Sequence, residues 1–245
     1  MSRTPTRLYP RLSHPRGRLP PFKRYSNHCL WFDGATHDLR LLAVPYQSSG
    51  AYELWVKPDA SIAPPAVAVR LITLGVWAFS IQAVTGLPFL QGNFPVAGFR
   101  VITFLTPIVA DVWQRITGTW EWDGVNTTQN LYRNGLIDAA PLVTAEQMPA
   151  GAATFGFTNN NTYKGYLDEL SFSPTTLSPT QIWQRFLHGY ALDGNTVLTW
   201  RLEEGSGIVA VDTSGNARHG DLRPAGAPPV WTDVAKYELL AEAGV

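Results

Sequence analysis

From residue 27 onward, apolar and polar residues alternate in short runs that are separated by glycine, proline or asparagine, as in residues 99–105. A period of two places successive side chains on opposite faces of a β-strand. Asn134-Gly135 stands between two such runs and predicts a two-residue hairpin, because both residues tolerate a positive φ. Many short strands joined by turns predict an all-β, antiparallel sandwich or jelly roll.

Helix-forming patterns are scarce. Residues 178–181 read Ser-Pro-Thr-Gln, which provides an N-cap, a proline in the first turn and a glutamine at the third helical position. This capping box predicts a short helix that runs to about His188 and ends at Gly189. Asp233 is a candidate cap for a second short helix near the end of the chain.

Residues 1–26 differ from the rest, because prolines recur at nearly regular spacing and no acidic residue is present. Proline excludes helix and sheet interior, so this segment is predicted to be an extended arm. Its positive residues are Arg3, Arg7, Arg11, Arg16, Arg18, Lys23 and Arg24. The arm is either a disordered tail or a docking segment whose arginines bind carboxylates or phosphates of a neighbouring molecule.

Composition narrows the protein class. Only 16% of the 245 residues are charged, against about 25% in typical domains. This favours either faces covered by partners or a large core. Cys29 is the single cysteine, so no disulfide can form within the chain. The N-terminus lacks the apolar stretch of a signal peptide, and no apolar run reaches the ~20 residues of a membrane span. We therefore expect a protein that is made in the cytosol and does not enter a membrane.

Four segments resemble the laminin-G-like branch of the concanavalin A-like lectin/glucanase superfamily. They are residues 30–34 (LWFDG), 52–58 (YELWVKP), 131–135 (LYRNG), and 165–172 (GYLDELSF) together with 177–182 (LSPTQI). The resemblance implies an antiparallel jelly-roll β-sandwich over residues 27–245, with one or two short helices and the extended arm. Residues 200–222 resemble a segment that usually precedes such a domain. Residues 190–245 therefore either add edge strands to this sandwich or are a remnant of a tandem partner.

The same resemblance implies a candidate calcium site, because laminin-G-like domains hold Ca²⁺ at the rim of the sandwich with oxygen ligands. By resemblance, Asp168 and Asp212 are the candidate ligands, followed by Asp33. The alternative is structural: Asp168 would accept backbone N–H groups, and Asp33 would form a turn with Gly34. No cofactor is expected to be required.

The carboxylates do not match a glycosidase. A retaining mechanism needs two carboxyl groups about 5 Å apart, which alternate positions of one strand supply. Glu121 and Asp123 come nearest, but Val125 stands where a third carboxylate is expected by resemblance to the glucanases. The adjacent pairs at 168–169 and 203–204 point to opposite faces of a strand. We therefore predict no enzymatic activity.

A glycan-binding face needs an exposed aromatic ring with polar partners. The candidates are Asn159, Asn160, Asn161 and Tyr163 in one polar loop, together with Trp122. The alternative is a solvated turn, since asparagine-rich turns are common.

Two functions follow from these patterns. The favoured one is a virion surface protein of a phage-like particle, in which the arm docks onto capsid or tail subunits or onto further copies of the chain. The alternative is a carbohydrate-binding lectin or adhesin module, which would act outside the cell. Nucleic acid is disfavoured as a partner, because the chain beyond the arm is not basic.

Overall fold

A computed structural model describes residues 28–62, 69–74, 77–81, 85–148, 151–157, 163–189, 196–224 and 227–233. In chain order the strands are β1 (His28–Asp33), β2 (Asp38–Tyr46), β3 (Gly50–Pro58), β4 (Val69–Leu74), β5 (Trp77–Ile81), β6 (Pro88–Phe94), β7 (Gly98–Thr103), β8 (Gln114–Trp122), β9 (Thr127–Arg133), β10 (Leu136–Ile137), β11 (Leu142–Thr144), β12 (Gly151–Phe157), β13 (Lys164–Ser173), β14 (Leu198–Trp200), β15 (Val209–Ala210), β16 (Gly220–Arg223) and β17 (Val230–Asp233). A 3₁₀ turn (Ala60–Ile62) follows β3, and helix α1 (Pro179–His188) follows β13.

The described strands form two antiparallel sheets. One has nine strands in the order β10-β9-β8-β3-β13-β1-β17, with β11 paired to β9 and β14 paired to β13. The other has eight strands in the order β15-β16-β2-β12-β4-β5-β6-β7. This arrangement confirms the predicted all-β sandwich.

Strand alternation separates the core from the outer faces. In β3, Tyr52, Leu54 and Val56 pack between the two sheets, and the residues between them face the opposite side of the nine-stranded sheet. The core also holds Trp120 stacked on Phe172, with ring centroids 6.1 Å apart. Large apolar and aromatic side chains thus fill the space between the sheets, as expected for a chain that has no disulfide.

The predicted hairpin and helix are both present. Asn134 and Gly135 have φ values of 50° and 79° and connect β9 to β10. At the start of α1 the Ser178 hydroxyl accepts a hydrogen bond from the Gln181 backbone, and the Gln181 side chain accepts one from the Ser178 backbone. The turn and cap chemistry at these positions therefore acts as the sequence predicts.

Helix α1 lies on the outer face of the nine-stranded sheet. Its apolar residues Ile182 and Phe186 pack against buried residues of that face, and the Phe186 ring lies 5.9 Å from that of Trp55. The helix therefore covers the middle of a surface that would otherwise expose a tryptophan.

Beneath the helix lies a buried ionic cluster. The Glu53 carboxylate is 3.0 Å from Nη2 of Arg115 and 2.7 Å from Nη1 of Arg185. Arg115 also donates a hydrogen bond to the carbonyl oxygen of Arg185. All three residues are at most 5% exposed. Glu53 in β3 thus joins β8 to α1 through charges that are removed from water.

Residues after 195 contribute strands to both sheets. Strand β14 pairs with β13, β16 with β2, and β17 with β1. The predicted arm at residues 1–26, with its seven positive residues, and the helix predicted after Asp233 lie outside the described residues. Within the described ranges, no helix is long and apolar enough to cross a membrane.

Replacing Glu53 by alanine should lower the free energy of unfolding by about 3–5 kcal/mol, because it leaves two buried guanidinium groups without their carboxylate. Urea denaturation monitored by tryptophan fluorescence measures this loss. Glu121→Ala, at an exposed position of β8, is the matched control and should change stability by no more than about 0.5 kcal/mol. Equal effects of the two substitutions would contradict a stabilising role for the buried cluster.

Candidate functional site

Beyond the helix, four side chains form a row across the outer face of the nine-stranded sheet. Lys57 in β3 is opposite Tyr166 in β13, Tyr166 is opposite Trp31 in β1, and Trp31 is opposite Val230 in β17. Directly opposite residues of antiparallel strands share a face, and the flanking residues of each strand point to the core. We call these four residues the aromatic row.

The aromatic row is accessible and carries free polar groups. Lys57, Tyr166 and Trp31 are half-buried, and Val230 is exposed. Among the described residues, the Lys57 ammonium, the Tyr166 hydroxyl and the Trp31 indole N–H have no hydrogen-bond or ion-pair partner. Two large rings and three polar groups therefore face outward together.

The neighbours of Tyr166 fix the orientation of its ring. The Trp113 ring lies 6.2 Å away at an interplanar angle of 49°, and Trp113 is almost fully buried. The Lys57 ammonium lies 5.8 Å from the centroid of the Tyr166 ring, within the range of a cation–π interaction. Trp113 and Lys57 thus hold the Tyr166 ring in place, and the Tyr166 hydroxyl stays at the surface.

Trp31 is held by a turn that follows β1. His37 contacts the Trp31 ring edge-on, with centroids 6.0 Å apart. Nδ1 of His37 accepts a hydrogen bond from the backbone N–H of Asp33 at 3.1 Å. The turn between β1 and β2 therefore fixes one side of the Trp31 ring before any ligand binds.

Asp33, a candidate calcium ligand, stabilises that turn. Its Oδ1 accepts the backbone N–H groups of Ala35, Thr36 and His37, and its Oδ2 accepts the Thr36 hydroxyl. Burial opposes ionisation, but these hydrogen bonds hold the pKa of Asp33 well below its usual value. The carboxylate acts as the predicted turn-forming group.

Asp168, one of the two leading candidates for a calcium ligand, is fully buried in β13. Its Oδ1 accepts the backbone N–H of Glu169 at 2.7 Å, where a bulge interrupts the pairing of β13 with β3. Asp33 and Asp168 lie on opposite sides of the aromatic row along their strands. They therefore do not converge on one ion.

Asp212, the other leading candidate, organises the segment after β14. Its carboxylate accepts the backbone N–H groups of Thr199, Ser214 and Arg218 and the Ser214 hydroxyl, at 2.8–2.9 Å. Burial raises the pKa of Asp212, but these hydrogen bonds outweigh that effect and lower it. In the described part of the chain, no three His, Cys, Asp or Glu residues are placed to hold a metal ion. The calcium site stays a prediction.

The predicted glycan residues are not brought together around an open ring. Asn159, Asn160 and Asn161 lie outside the described residues. Tyr163 is fully buried and its hydroxyl donates to the carbonyl of Tyr166 at 2.9 Å, so its ring offers no face to a ligand. Half-buried Trp122 ends β8, whereas Gln114 at the start of that strand pairs with β3 beside Lys57. Trp122 therefore lies far from the aromatic row.

The aromatic row was missed in the sequence because its residues are far apart along the chain. A signal was nevertheless present. Trp31, Lys57 and Tyr166 occupy positions that alternate with core residues inside the segments that carried the family resemblance. Large or charged side chains at the outward positions of such strands are candidates for a binding face.

The carboxylates that come nearest to a catalytic arrangement, those of Glu121 and Asp123, have different surroundings. Glu121 is exposed near the end of β8. The Asp123 carboxylate accepts the backbone N–H groups of Asn126 and Val125, at 2.7 and 2.8 Å. These hydrogen bonds lower the pKa of Asp123, so this group favours its ionised form and a turn-forming role.

A concave surface lies at the edge of the eight-stranded sheet. This groove of about 660 Å³ is lined by Thr36, Asp38, Arg40, Ile208, Asp221, Leu222, Arg223 and Pro224. Arg40 pairs with Asp38, and Arg223 pairs with Asp221 at 3.2 Å. No aromatic ring is found among the described residues that line the groove, and their charges neutralise one another, so the aromatic row is the better candidate for ligand binding.

Comparison with known families gives one match. The model of the concanavalin A-like lectin/glucanases superfamily, in its laminin-G form, matches residues 33–183. This range contains Lys57 and Tyr166, and Trp31 lies just before it. No curated protein sequence matches the chain.

Two solved structures illustrate the shared fold. A proposed carbohydrate-binding protein from Bacteroides ovatus superposes with a TM-score of 0.65 and 13% identity over 86% of this chain, and this chain spans 61% of that protein. A heptameric SAP-like pentraxin from Limulus polyphemus superposes with a TM-score of 0.51 and 16% identity, over 65% of this chain and 82% of the pentraxin. At these identities the similarity establishes the fold.

The structural role of Asp212 predicts a specific dependence on pH. Its pKa is lower in the folded protein than in the unfolded chain, so its contribution to stability is complete above about pH 4 and is lost as the pH falls further. Asp212→Asn should therefore be less stable than the parent at pH 7, and this difference should narrow at pH 3. Urea denaturation at both pH values measures it.

The same variant tests the calcium prediction. If the Asp212 carboxylate is purely structural, the parent should unfold at the same temperature in EDTA and in excess calcium. Asp212→Asn should then be destabilised by the same amount in both. Stabilisation of the parent by calcium that disappears in the variant would instead support Asp212 as a ligand.

Proposed function

Since the chain belongs to the laminin-G-like branch of the concanavalin A-like lectin/glucanase superfamily, we propose that it is a carbohydrate-binding protein without catalytic activity. The proposed binding site is the aromatic row on the outer face of the nine-stranded sheet. The ligand would lie across β3, β13, β1 and β17.

The aromatic row is the observation that carries this proposal. Sugars present apolar C–H faces together with hydroxyl groups, and binding sites for such molecules combine aromatic rings with a few fixed polar groups. Trp31 and Tyr166 provide the rings, and their N–H and hydroxyl groups are free among the described residues. With strands about 4.8 Å apart, the four positions extend over about 14 Å, which suits a short oligosaccharide.

Pre-organisation supports the same conclusion. Trp113 fixes Tyr166, and the turn containing His37 fixes Trp31. Because the rings are held by protein contacts, less conformational entropy is lost on binding than with free side chains. The Bacteroides ovatus protein, proposed to bind carbohydrate, provides support at the level of the fold.

The absence of catalysis is part of the proposal. Among the described residues, no pair of free carboxyl groups stands in the aromatic row at the separation that glycoside hydrolysis needs, and the nearby Asp33 is engaged in a turn. Turnover of a bound glycan that is lost on changing Glu121 or Asp123 would contradict this part.

The virion role favoured by the sequence gains no support from the family or from the structures with the same fold. The arm at residues 1–26, one of the features behind that prediction, lies outside the described residues. Docking of the arm onto capsid or tail subunits, self-association through it, and a location in a virion stay predictions. The lectin alternative has the better support.

Trp31→Ala should weaken glycan binding about thirtyfold, because a central tryptophan of a binding face contributes about 2 kcal/mol. The parent is first tested on immobilised neutral, carboxylated and sulfated oligosaccharides. Titration calorimetry with a bound oligosaccharide then compares the parent and the variant.

Trp122→Ala is the matched control, since it removes another half-buried tryptophan at the other end of the same sheet. It should bind within about twofold of the parent, and the thermal unfolding of both variants shows whether the fold is retained. Loss of binding in Trp122→Ala alone would move the site to that end. Failure of the parent to bind any oligosaccharide would overturn the proposed function.

A further inference from the structure

The polar groups of the aromatic row are mostly donors. The Lys57 ammonium and the Trp31 indole N–H can only donate hydrogen bonds, and the Tyr166 hydroxyl can donate or accept. Thr232, the next residue of β17 on this face, already donates its hydroxyl to the carbonyl of Val230 at 3.4 Å. A ligand on this surface therefore meets donors that need acceptors.

The carboxylates nearest to the row along its strands are already engaged. Asp33 accepts three backbone N–H groups and one hydroxyl within its turn. Asp168 is fully buried and accepts a backbone N–H. A neutral sugar hydroxyl commonly both donates and accepts, and sites for neutral sugars supply acceptors as well as donors. Around the row, the part of the chain that the structure describes offers few such acceptors.

The charges around the row are unbalanced at Lys57. The neighbouring Lys164, on the same face of β13, lies 3.4 Å from the Asp59 carboxylate and donates to the Ser61 hydroxyl. Lys57 has no carboxylate partner within the described ranges, and its contact is the ring of Tyr166. A half-buried ammonium without a counter-ion favours an anionic ligand.

We propose that the ligand of the aromatic row is an acidic carbohydrate, an inference that rests on the proposed function. Its carboxylate or sulfate accepts hydrogen bonds from the Lys57 ammonium and the Tyr166 hydroxyl. An apolar face of the sugar lies on Trp31, and the chain extends toward Val230. The acid group supplies the acceptor oxygens that the donors lack, and the rings contribute contact area without depending on charge.

The test uses oligogalacturonate and its methyl ester, which share one sugar skeleton and differ in charge, together with a sulfated and an unsulfated glucan oligosaccharide as a second pair. Lys57→Met keeps the length of the side chain and removes its charge. It should weaken binding of the acidic member of the bound pair about tenfold, and should weaken binding of the neutral member by a clearly smaller factor, because that member has no anionic group for the ammonium to contact. Lys164→Met is the matched control and should leave both within about twofold. Binding by the parent should also weaken as salt concentration is raised.

The outcomes separate this inference from the proposed function. If a neutral member binds as tightly as its acidic partner and Lys57→Met has no effect, the acidic ligand is overturned while carbohydrate binding stands. If Lys164→Met weakens acid binding as much as Lys57→Met does, the role of Lys57 is overturned. If inorganic sulfate alone binds with the affinity of the sulfated oligosaccharide, an acidic carbohydrate as the ligand is also overturned, because the sugar then contributes nothing to binding. If none of the four oligosaccharides binds, the immobilised neutral, carboxylated and sulfated oligosaccharides decide between two outcomes. If none of them binds either, both proposals are overturned. If only neutral ones bind, the acidic ligand is overturned and carbohydrate binding stands.

Discussion

The buried carboxylate of Glu53 is the constraint on which the outer face of the nine-stranded sheet depends. It holds Arg115 of β8 and Arg185 of α1 within 3.0 Å. Removing these charges from water costs free energy, and their mutual attraction offsets this cost only while both guanidinium groups keep their positions. The ion cluster therefore fixes the depth and position of the helix as well as its attachment. Apolar packing of Phe186 on Trp55 alone would tolerate sliding that the directional hydrogen bonds do not.

The position of the helix determines which part of the sheet stays accessible. Helix α1 covers Trp55, and the half-buried Tyr166 marks a boundary of the apolar cluster that Trp55 forms with Trp113 and Phe186. The aromatic row begins at that boundary. Loss of the helix would expose Trp55 and merge the row into a wider apolar surface. Solubility and a defined binding face thus depend on the same buried ions.

Local chemistry was predictable from the sequence, and long-range pairing was not. The capping box at Ser178 and the Asn134-Gly135 turn follow from the stereochemistry of neighbouring residues, and the family resemblance implied the sandwich. Tyr163 looked like part of a polar loop, yet it packs in the core, because a single position does not reveal the direction of its side chain. The aromatic row joins residues 31, 57, 166 and 230, and Glu53 meets Arg185 across 132 positions. Such neighbours are set by strand register, which short-range patterns leave open.

The strands that carry the aromatic row differ in how many neighbouring strands hold them in the sheet. Lys57 and Tyr166 lie on strands with neighbours on both sides, whereas Val230 belongs to β17, which among the described strands is an edge strand that pairs with β1 alone. Edge strands are among the first elements to open in native-state fluctuations. A ligand that reaches Val230 would bind only conformers in which β17 is docked, so occupancy of the row and closure of this edge are thermodynamically linked. Affinity would then depend on the length of the ligand through the stability of the sheet edge, in addition to the contacts that a longer chain makes.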